Sequence, residues 1–348
     1  MRTTAVLLDP SKAQRNIREF HHLIHSIGPV VRSHVKGHRL IELAQLQSDL
    51  GAVGVMAQTT PEAAAYLAAG IPDVVIARAQ LDVWRLPRIV EFAARVRAER
   101  PDARLAVNVA DAETVGLLGP AAVAAGVELA LRVDVSFGDD RGVAPERAAR
   151  LAALVDHTPG VRLAGVAGYT NITTRQDMRD AAIVARRVAG VLTELADEIR
   201  RDGIECPTVS VSGTAGAAAA ARVPGVTEIC AGAYALFDAG SAETGVCTAD
   251  DVALCVRTRV VDVTGDRVRT DADGLLATAY HDWDPDVTAR DRDGRQLHEA
   301  GLIPGQSVDL LPAHICPFML QGLPVHLLNA SGVETDRWHP VLLPESPH

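Results

Sequence analysis

From residue 30 to about residue 235 the chain repeats one pattern: a short β-branched or apolar run, then a longer alanine- and leucine-rich stretch with apolar positions at helical spacing. The strands this predicts cover 30–33, 54–57, 73–76, 105–108, 128–133, 163–167, 208–211 and 228–231. Helices are predicted after the first seven, over 39–50, 61–69, 83–100, 112–125, 145–155, 176–201 and 215–221, with Gly51, Gly70 and Gly126 placed as helix stops. A helix between each pair of strands carries the chain back to the same end of the sheet, so the strands pair in parallel. Eight such units predict a closed (β/α)8 barrel of the TIM type, an α/β fold.

A strand over 5–8 and a helix over 11–27, capped by Asp9-Pro10-Ser11, precede the barrel strands. After residue 245 the texture changes. Segments 252–263, 267–270, 275–280, 307–311 and 325–329 alternate like antiparallel strands, separated by turn signals such as Thr264-Gly265-Asp266, Ala272-Asp273-Gly274 and Pro304-Gly305. The expected organisation is a barrel over 11–244 and a second, mostly antiparallel β domain made of 1–10 and 245–348, joined by the leading strand.

Composition narrows the function classes. The formal charge is -10 and the arginines are evenly spread, which is the wrong pattern for a nucleic-acid footprint. No apolar run is long enough for a membrane span or a secretory signal, so a cytoplasmic protein with small-molecule partners is expected. Five cysteines, an odd total without a Cys-x-x-Cys pair, predict no disulfide framework. Against 32 arginines stand only two lysines, and one of them, Lys36, sits where the first barrel strand ends. Arginine supplies charge at least as well, but only lysine is a practical amine nucleophile, so Lys36 points to chemistry.

Active sites of such barrels lie at the carboxyl ends of the strands. The residues expected there are Lys36, Gln58, Asn108, Asp134, Tyr169, Ser212-Gly213-Thr214 and Gly232-Ala233-Tyr234. Strand alternation would put Arg32, His34 and Lys36 on one inward face, a costly arrangement unless an anion sits among them. The small residues after the seventh and eighth strands would seat a phosphate, because backbone N–H groups can approach it there. A phosphate site facing a lone lysine is what a pyridoxal phosphate enzyme needs.

At these residues the chain resembles a known family. Arg32-Ser-His34-Val-Lys36-Gly-His38, then Val55-Met-Ala-Gln58-Thr-Thr-Pro-Glu62, Arg132-Val-Asp134-Val through Arg141-Gly142-Val143, and the two glycine loops are similar to the D-threonine aldolase and D-serine dehydratase family. These are fold type III pyridoxal phosphate enzymes with an alanine-racemase-like barrel. The resemblance implies that Lys36 forms the Schiff base and acts as base, with His34 and Tyr169 in catalytic positions. It also implies that Arg32, Arg141, Tyr169, Ser212, Gly213, Thr214, Gly232, Ala233 and Tyr234 hold the cofactor. Pro312-Ala-His314-Ile-Cys316 is similar to the pattern of the zinc-dependent dehydratases, whereas the aldolases tend to carry Asp at the position of Cys316. Alternation in a strand would set His314 and Cys316 on one face as a zinc-type pair, expected to hold a divalent metal, zinc.

The implied activity is metal-assisted loss of water from a D-β-hydroxy-α-amino acid, giving a keto acid and ammonia, by a homodimer. Retro-aldol cleavage to glycine and an aldehyde is the alternative, followed by an amino-acid racemase or a non-catalytic pyridoxal phosphate carrier; carriers lack a β domain. A metal-dependent barrel hydrolase would call for His-x-His on the first strand, where His34-Val-Lys36 stands. One departure bears on the substrate: the family's Tyr-x-Gly-His segment after the sixth strand reads Tyr169-Thr170-Asn171-Ile172 here. His281 and Asp282 are candidates for a replacement base.

Overall fold

The structure is a computed structural model that describes residues 4–77, 86–138, 142–172, 175–265, 267–272 and 290–341. After β1 (Ala5–Leu8) and helix α1 (Pro10–Ile27), eight parallel strands close into a barrel. They are β2 (Val30–His34), β3 (Val55–Ala57), β4 (Asp73–Ile76), β5 (Arg104–Val109), β6 (Leu129–Val135), β7 (Val161–Tyr169), β8 (Thr208–Ser212) and β9 (Glu228–Ala231). Each pairs with the next, and β9 closes on β2 with Arg32 opposite Cys230. The expected barrel is therefore present, with every strand within two residues of its sequence-based bounds.

Helices α2 (Ile41–Asp49), α3 (Thr60–Ala68), α4 (Leu86–Glu99), α5 (Ala112–Ala124) and α6 (Pro145–His157) cover the outside. The helix predicted over 176–201 is divided into α7 (Arg175–Arg179) and α8 (Ala181–Arg201), and α9 (Ala217–Ala221) is a single short turn of alanines. Local chemistry explains the boundaries. Asp9 caps α1 by accepting from the backbone N–H groups of Ser11 and Lys12 at 3.0 and 3.2 Å, with Pro10 in the first turn.

The inward charge on β2 has a different answer from the one the sequence suggested. Arg32 does not await an external anion. Its Nε donates to Glu228 at 2.9 Å and its Nη1 to Asp73 at 2.8 Å, while Arg132 Nη1 donates to the other Glu228 oxygen at 2.7 Å. Ser210 Oγ completes the set at 2.8 Å. Burial alone would raise the Glu228 carboxyl, but the Arg32 and Arg132 charges and their hydrogen bonds overcome it and hold it down to about 2. Two cations and two carboxylates thus neutralise one another within the amino-terminal half of the barrel.

The second sheet is built from β10 (Leu254–Thr264), β11 (Arg267–Thr270), β12 (Arg290–Asp291), β13 (Ser307–Leu311), β14 (Val325–Leu328) and β15 (Glu334–Trp338) in the order β12-β13-β10-β1-β14-β15, with β11 on β10. The leading strand β1 joins this sheet, antiparallel to β10 and parallel to β14. The predicted strand over 275–280 lies outside the described residues. Helix α10 (Ala239–Glu243) follows the barrel, and α11 (Ile315–Met319) follows β13. Two backbone hydrogen bonds, Ala239 N–H to Pro312 O at 2.9 Å and Gly240 N–H to Ala313 O at 3.0 Å, tie the loop before α11 to the barrel mouth.

Candidate active site

After His34 the chain leaves β2 through a 3-10 turn, Val35–Gly37, in which Val35 O accepts from His38 N–H at 3.1 Å and Arg39 N–H at 2.7 Å. The turn ends strand alternation, so Lys36 departs from the face of Arg32. His34 and Lys36 line a cavity of about 380 Å³ at the carboxyl mouth of the barrel, together with Gln58, Tyr169, Thr170, Ser212, Gly213, Thr214, Gly232 and Ala233. His314, Cys316, Asp238 and Leu320 line the same cavity from the side of the second sheet. A larger cavity, about 940 Å³, opens at the amino-terminal end and is lined by the Arg32–Glu228–Arg132 ion network. It contains no lysine, and barrel chemistry belongs to the carboxyl face, so the smaller cavity is the candidate site.

Within it, Lys36 Nζ stands 4.9 Å from the centroid of the Tyr169 ring. Gly213 has φ 138°, and a Cβ there would lie 2.6 Å from Thr170 Oγ1. The Thr170 hydroxyl is buried and has no hydrogen-bond partner among the described residues. A Cβ at Gly232 would lie 2.2 Å from His34 O, so glycine is what lets the loop after β9 touch the strand end that carries the lysine. Gln58 accepts from Arg39 Nη2 through its Oε1 at 3.0 Å, which leaves its amide N–H groups as the donors it can offer the cavity.

His314 and Cys316 come together, though not on a strand as the sequence suggested. β13 ends at Leu311, and His314 is the residue that caps α11, with Cys316 in its first turn. Burial would push the Cys316 thiol up, but the His314 hydrogen bond and the His314 and Lys36 charges outweigh it, and the thiol is lowered from its ordinary value. For His314, burial opposes the charge, yet Cys316 and Asp238 raise the imidazole. Asp238 holds the loop: its Oδ2 accepts from Ile315 N–H at 3.0 Å, and its Oδ1 from Ser241 N–H and Oγ at 2.8 and 2.6 Å.

Residues 8–238 match the alanine racemase N-terminal domain family. The chain belongs to that family. It is 33% identical over 270 residues to the D-threo-3-hydroxyaspartate dehydratase of Delftia sp. (strain HT23), an alignment covering 76% of this chain and 69% of the relative. It is 30% identical over 239 residues to a D-threonine aldolase of Arthrobacter sp, covering 68% of this chain and 61% of that one. The solved structure of the Delftia dehydratase superposes with a TM-score of 0.82 at 25% identity, over 98% of both chains. Structures of D-threo-3-hydroxyaspartate dehydratase also include a histidine-to-alanine variant and, two positions further along, a cysteine-to-alanine variant described as metal-free. The architecture of this family member is thus that of the fold type III pyridoxal phosphate enzymes, as the motifs around Lys36 suggested.

The residues present suit that cofactor. A primary amine, a buried hydroxyl lacking a partner among the described residues and close-packed glycine loops meet in one cavity, and an imidazole–thiol pair of zinc-ligand type stands in its wall. Not every residue expected at the site is there. Arg32 belongs to the ion network below, and Arg141 lies outside the described residues. Tyr234 follows Ala233, but its side chain is fully buried away from the cavity, against Phe20 and His21. His281 and Asp282 also lie outside the described residues. Sequence reasoning missed Thr170 and Asp238; the Asp238-x-x-Ser241 spacing of a helix cap was the available signal for the second.

Proposed function

We propose that this protein is a pyridoxal phosphate-dependent lyase that removes water from a D-β-hydroxy-α-amino acid with the help of a divalent metal. One observation carries the reading: a single cavity joins Lys36 to the His314–Cys316 pair that follows β13. Lys36 would hold the cofactor's carbonyl carbon and, once released as a free amine, take the proton from the substrate α-carbon. Thr170, Ser212, Thr214 and the backbone around Gly232 and Ala233 would receive the phosphate, with Tyr169 against the ring side of the lysine. When bound, the cofactor supplies an electron sink for the charge that develops at the α-carbon.

His314 and Cys316 would hold the metal, whose chemistry there is Lewis-acid assistance to a poor leaving group, hydroxide. Imidazole with thiolate favours zinc. His314 and Cys316 would supply two ligands, and water and the substrate hydroxyl would fill the remaining positions. Loss of the α-proton and the β-hydroxide makes water and an enamine, which hydrolyses to a keto acid and ammonia. The paired His and Cys variants of the dehydratase, at the spacing of His314 and Cys316, support elimination. Retro-aldol cleavage by the same residues is the second reading, supported by the aldolase relative. A cytoplasmic homodimer acting on small molecules, without nucleic-acid or membrane partners, completes the proposal; among the described residues no helix is long and apolar enough to cross a membrane.

The test is direct. The purified protein should show the visible absorbance of a lysine-bound cofactor, and Lys36→Ala should abolish it; a band that persists in the variant would sink the assignment. D-threo-3-hydroxyaspartate, D-serine and D-threonine, each assayed for keto acid and for glycine with and without chelator, separate elimination from cleavage. Full activity after chelation would remove the metal from the reading.

A further inference from the structure

Both flanks of the Lys36 turn are tied to one buried phenol. Tyr234 Oη lies 3.1 Å from Ser33 Oγ on β2, 3.0 Å from Gln47 Nε2 on α2 and 2.8 Å from His21 Nε2 on α1. Gln47 Oε1 is in turn 3.1 Å from His38 Nε2, and His38 is the residue that ends the lysine turn. Ser33 and His38 thus bracket Lys36 from either side.

The direction of every bond in this set follows from its ends. Leu40 N–H donates to His38 Nδ1 at 3.0 Å, so the neutral ring carries its proton on Nε2 and donates it to Gln47 Oε1. Gln47 then gives an amide N–H to the phenol oxygen. On the far side, His21 Nδ1 is 2.9 Å from Leu50 O, an obligate acceptor, so Nδ1 is protonated and Nε2 must accept. The phenol therefore donates to His21 and accepts from both Gln47 and Ser33. Donor meets acceptor at each of these steps, so the chain from His38 through Gln47 to Tyr234 and His21 has one direction.

Tyr234 also sits two residues after Gly232, whose carbonyl carbon is 3.2 Å from where a Cβ of Gly37 would be. The glycine loop proposed for the phosphate and the turn that carries the lysine are consequently registered against each other by one side chain that does not line the cavity. We infer that Tyr234 is a positioning residue: through Ser33, Gln47 and His38 it fixes the Lys36 turn relative to the Gly232–Ala233 loop. The inference rests on the pyridoxal phosphate reading above.

The test uses Tyr234→Phe, which keeps the ring stacked on Phe20 but removes the oxygen, and Gln47→Leu, which cuts the arm to His38 from α2. Ile24→Val, a change in buried α1 packing outside the network, is the control for simple destabilisation. Each holoenzyme is compared for melting temperature, rate of cofactor release and the split of kcat against KM. In both network variants, release is expected to rise and kcat to fall by roughly ten- to a hundred-fold, because small misplacements of reacting groups are costly, while KM changes little. The control should lose melting temperature alone. If Tyr234→Phe does not fold, Gln47→Leu decides. Network variants that melt lower yet release cofactor and turn over like wild type would make Tyr234 merely structural. A wild-type protein that never acquires the visible band would instead overturn the cofactor reading, and the inference with it.

Discussion

Lys36 Nζ lies 4.9 Å from the centroid of the Tyr169 ring, so the turn after β2 meets the end of β7 across the barrel mouth. A cation over an aromatic face is held by the ring quadrupole, worth about 0.5–2 kcal/mol depending on desolvation. That contact gives the flexible lysine stem a preferred position between the glycine loops and the His314–Cys316 pair.

The ring rather than the hydroxyl supplies this hold. Tyr169→Ala is therefore expected to reduce kcat/KM roughly ten-fold further than Tyr169→Phe, in keeping with a contact of about 1 kcal/mol plus lost shape. Steady-state kinetics of the two variants check it. Equal losses would shift the role to the phenol oxygen.

Glu228 should be the most sensitive residue of the barrel interior. Replacing it by Gln removes the carboxylate that Arg132 pairs with and leaves Arg32 with Asp73 alone, with an expected cost of about 3–5 kcal/mol. The carboxyl sits at about 2 in the fold against an ordinary value of 4.5. Its stabilisation is complete above the ordinary value and drains away as the pH falls from there toward 2. Urea midpoints of wild type and Glu228→Gln should differ most at neutral pH and converge in acid.

His38 gives a second pH dependence, at higher pH. Burial lowers its imidazole from 6.5 to about 4. Between those values the unfolded chain binds a proton that the folded one does not, so stability falls as pH drops through the window, by up to about 1.4 kcal/mol per unit. His38→Gln has nothing to titrate there. Its urea midpoint should be lower at neutral pH but flatter from pH 6.5 to 4, and an unchanged slope would mean that His38 is protonated in the fold.

The barrel was legible because each strand is a short β-branched run and each helix a 3.6-residue pattern, both local signals. The lining of the candidate cavity was legible where a residue type is rare in composition, as at Lys36, or paired in spacing, as at His314 and Cys316. Arg32 was misassigned for a reason local patterns cannot repair: its partner Glu228 is 196 positions away and reads simply as the start of a strand. Likewise a three-residue 3-10 turn has no periodicity, so strand alternation was carried through to Lys36 when it ends at His34. The direction of Tyr234 was equally hidden, because nothing beside it in sequence says that Ser33, Gln47 and His21 surround its hydroxyl.

The loop that carries His314 and Cys316 separates structure from the proposed chemistry. Asp238 receives the Ile315 N–H on one oxygen and caps α10 with the other, so a single buried carboxylate sets the residue between His314 and Cys316. Asp238→Asn keeps the size and one acceptor oxygen. If that oxygen stays on the α10 cap, the new amide nitrogen faces the Ile315 N–H, donor against donor, and the loop must shift. Supporting hydrogen bonds around metal ligands typically matter by about 10–100-fold in affinity, so zinc binding should weaken by that order. The visible band of the lysine-bound cofactor should stay, since Lys36 and the glycine loops are untouched. Zinc titration against a chromophoric chelator reads the first quantity and absorbance the second. Wild-type zinc affinity in Asp238→Asn would show that the loop is held without this carboxylate, by anchors such as the backbone bonds that Pro312 O and Ala313 O accept from α10.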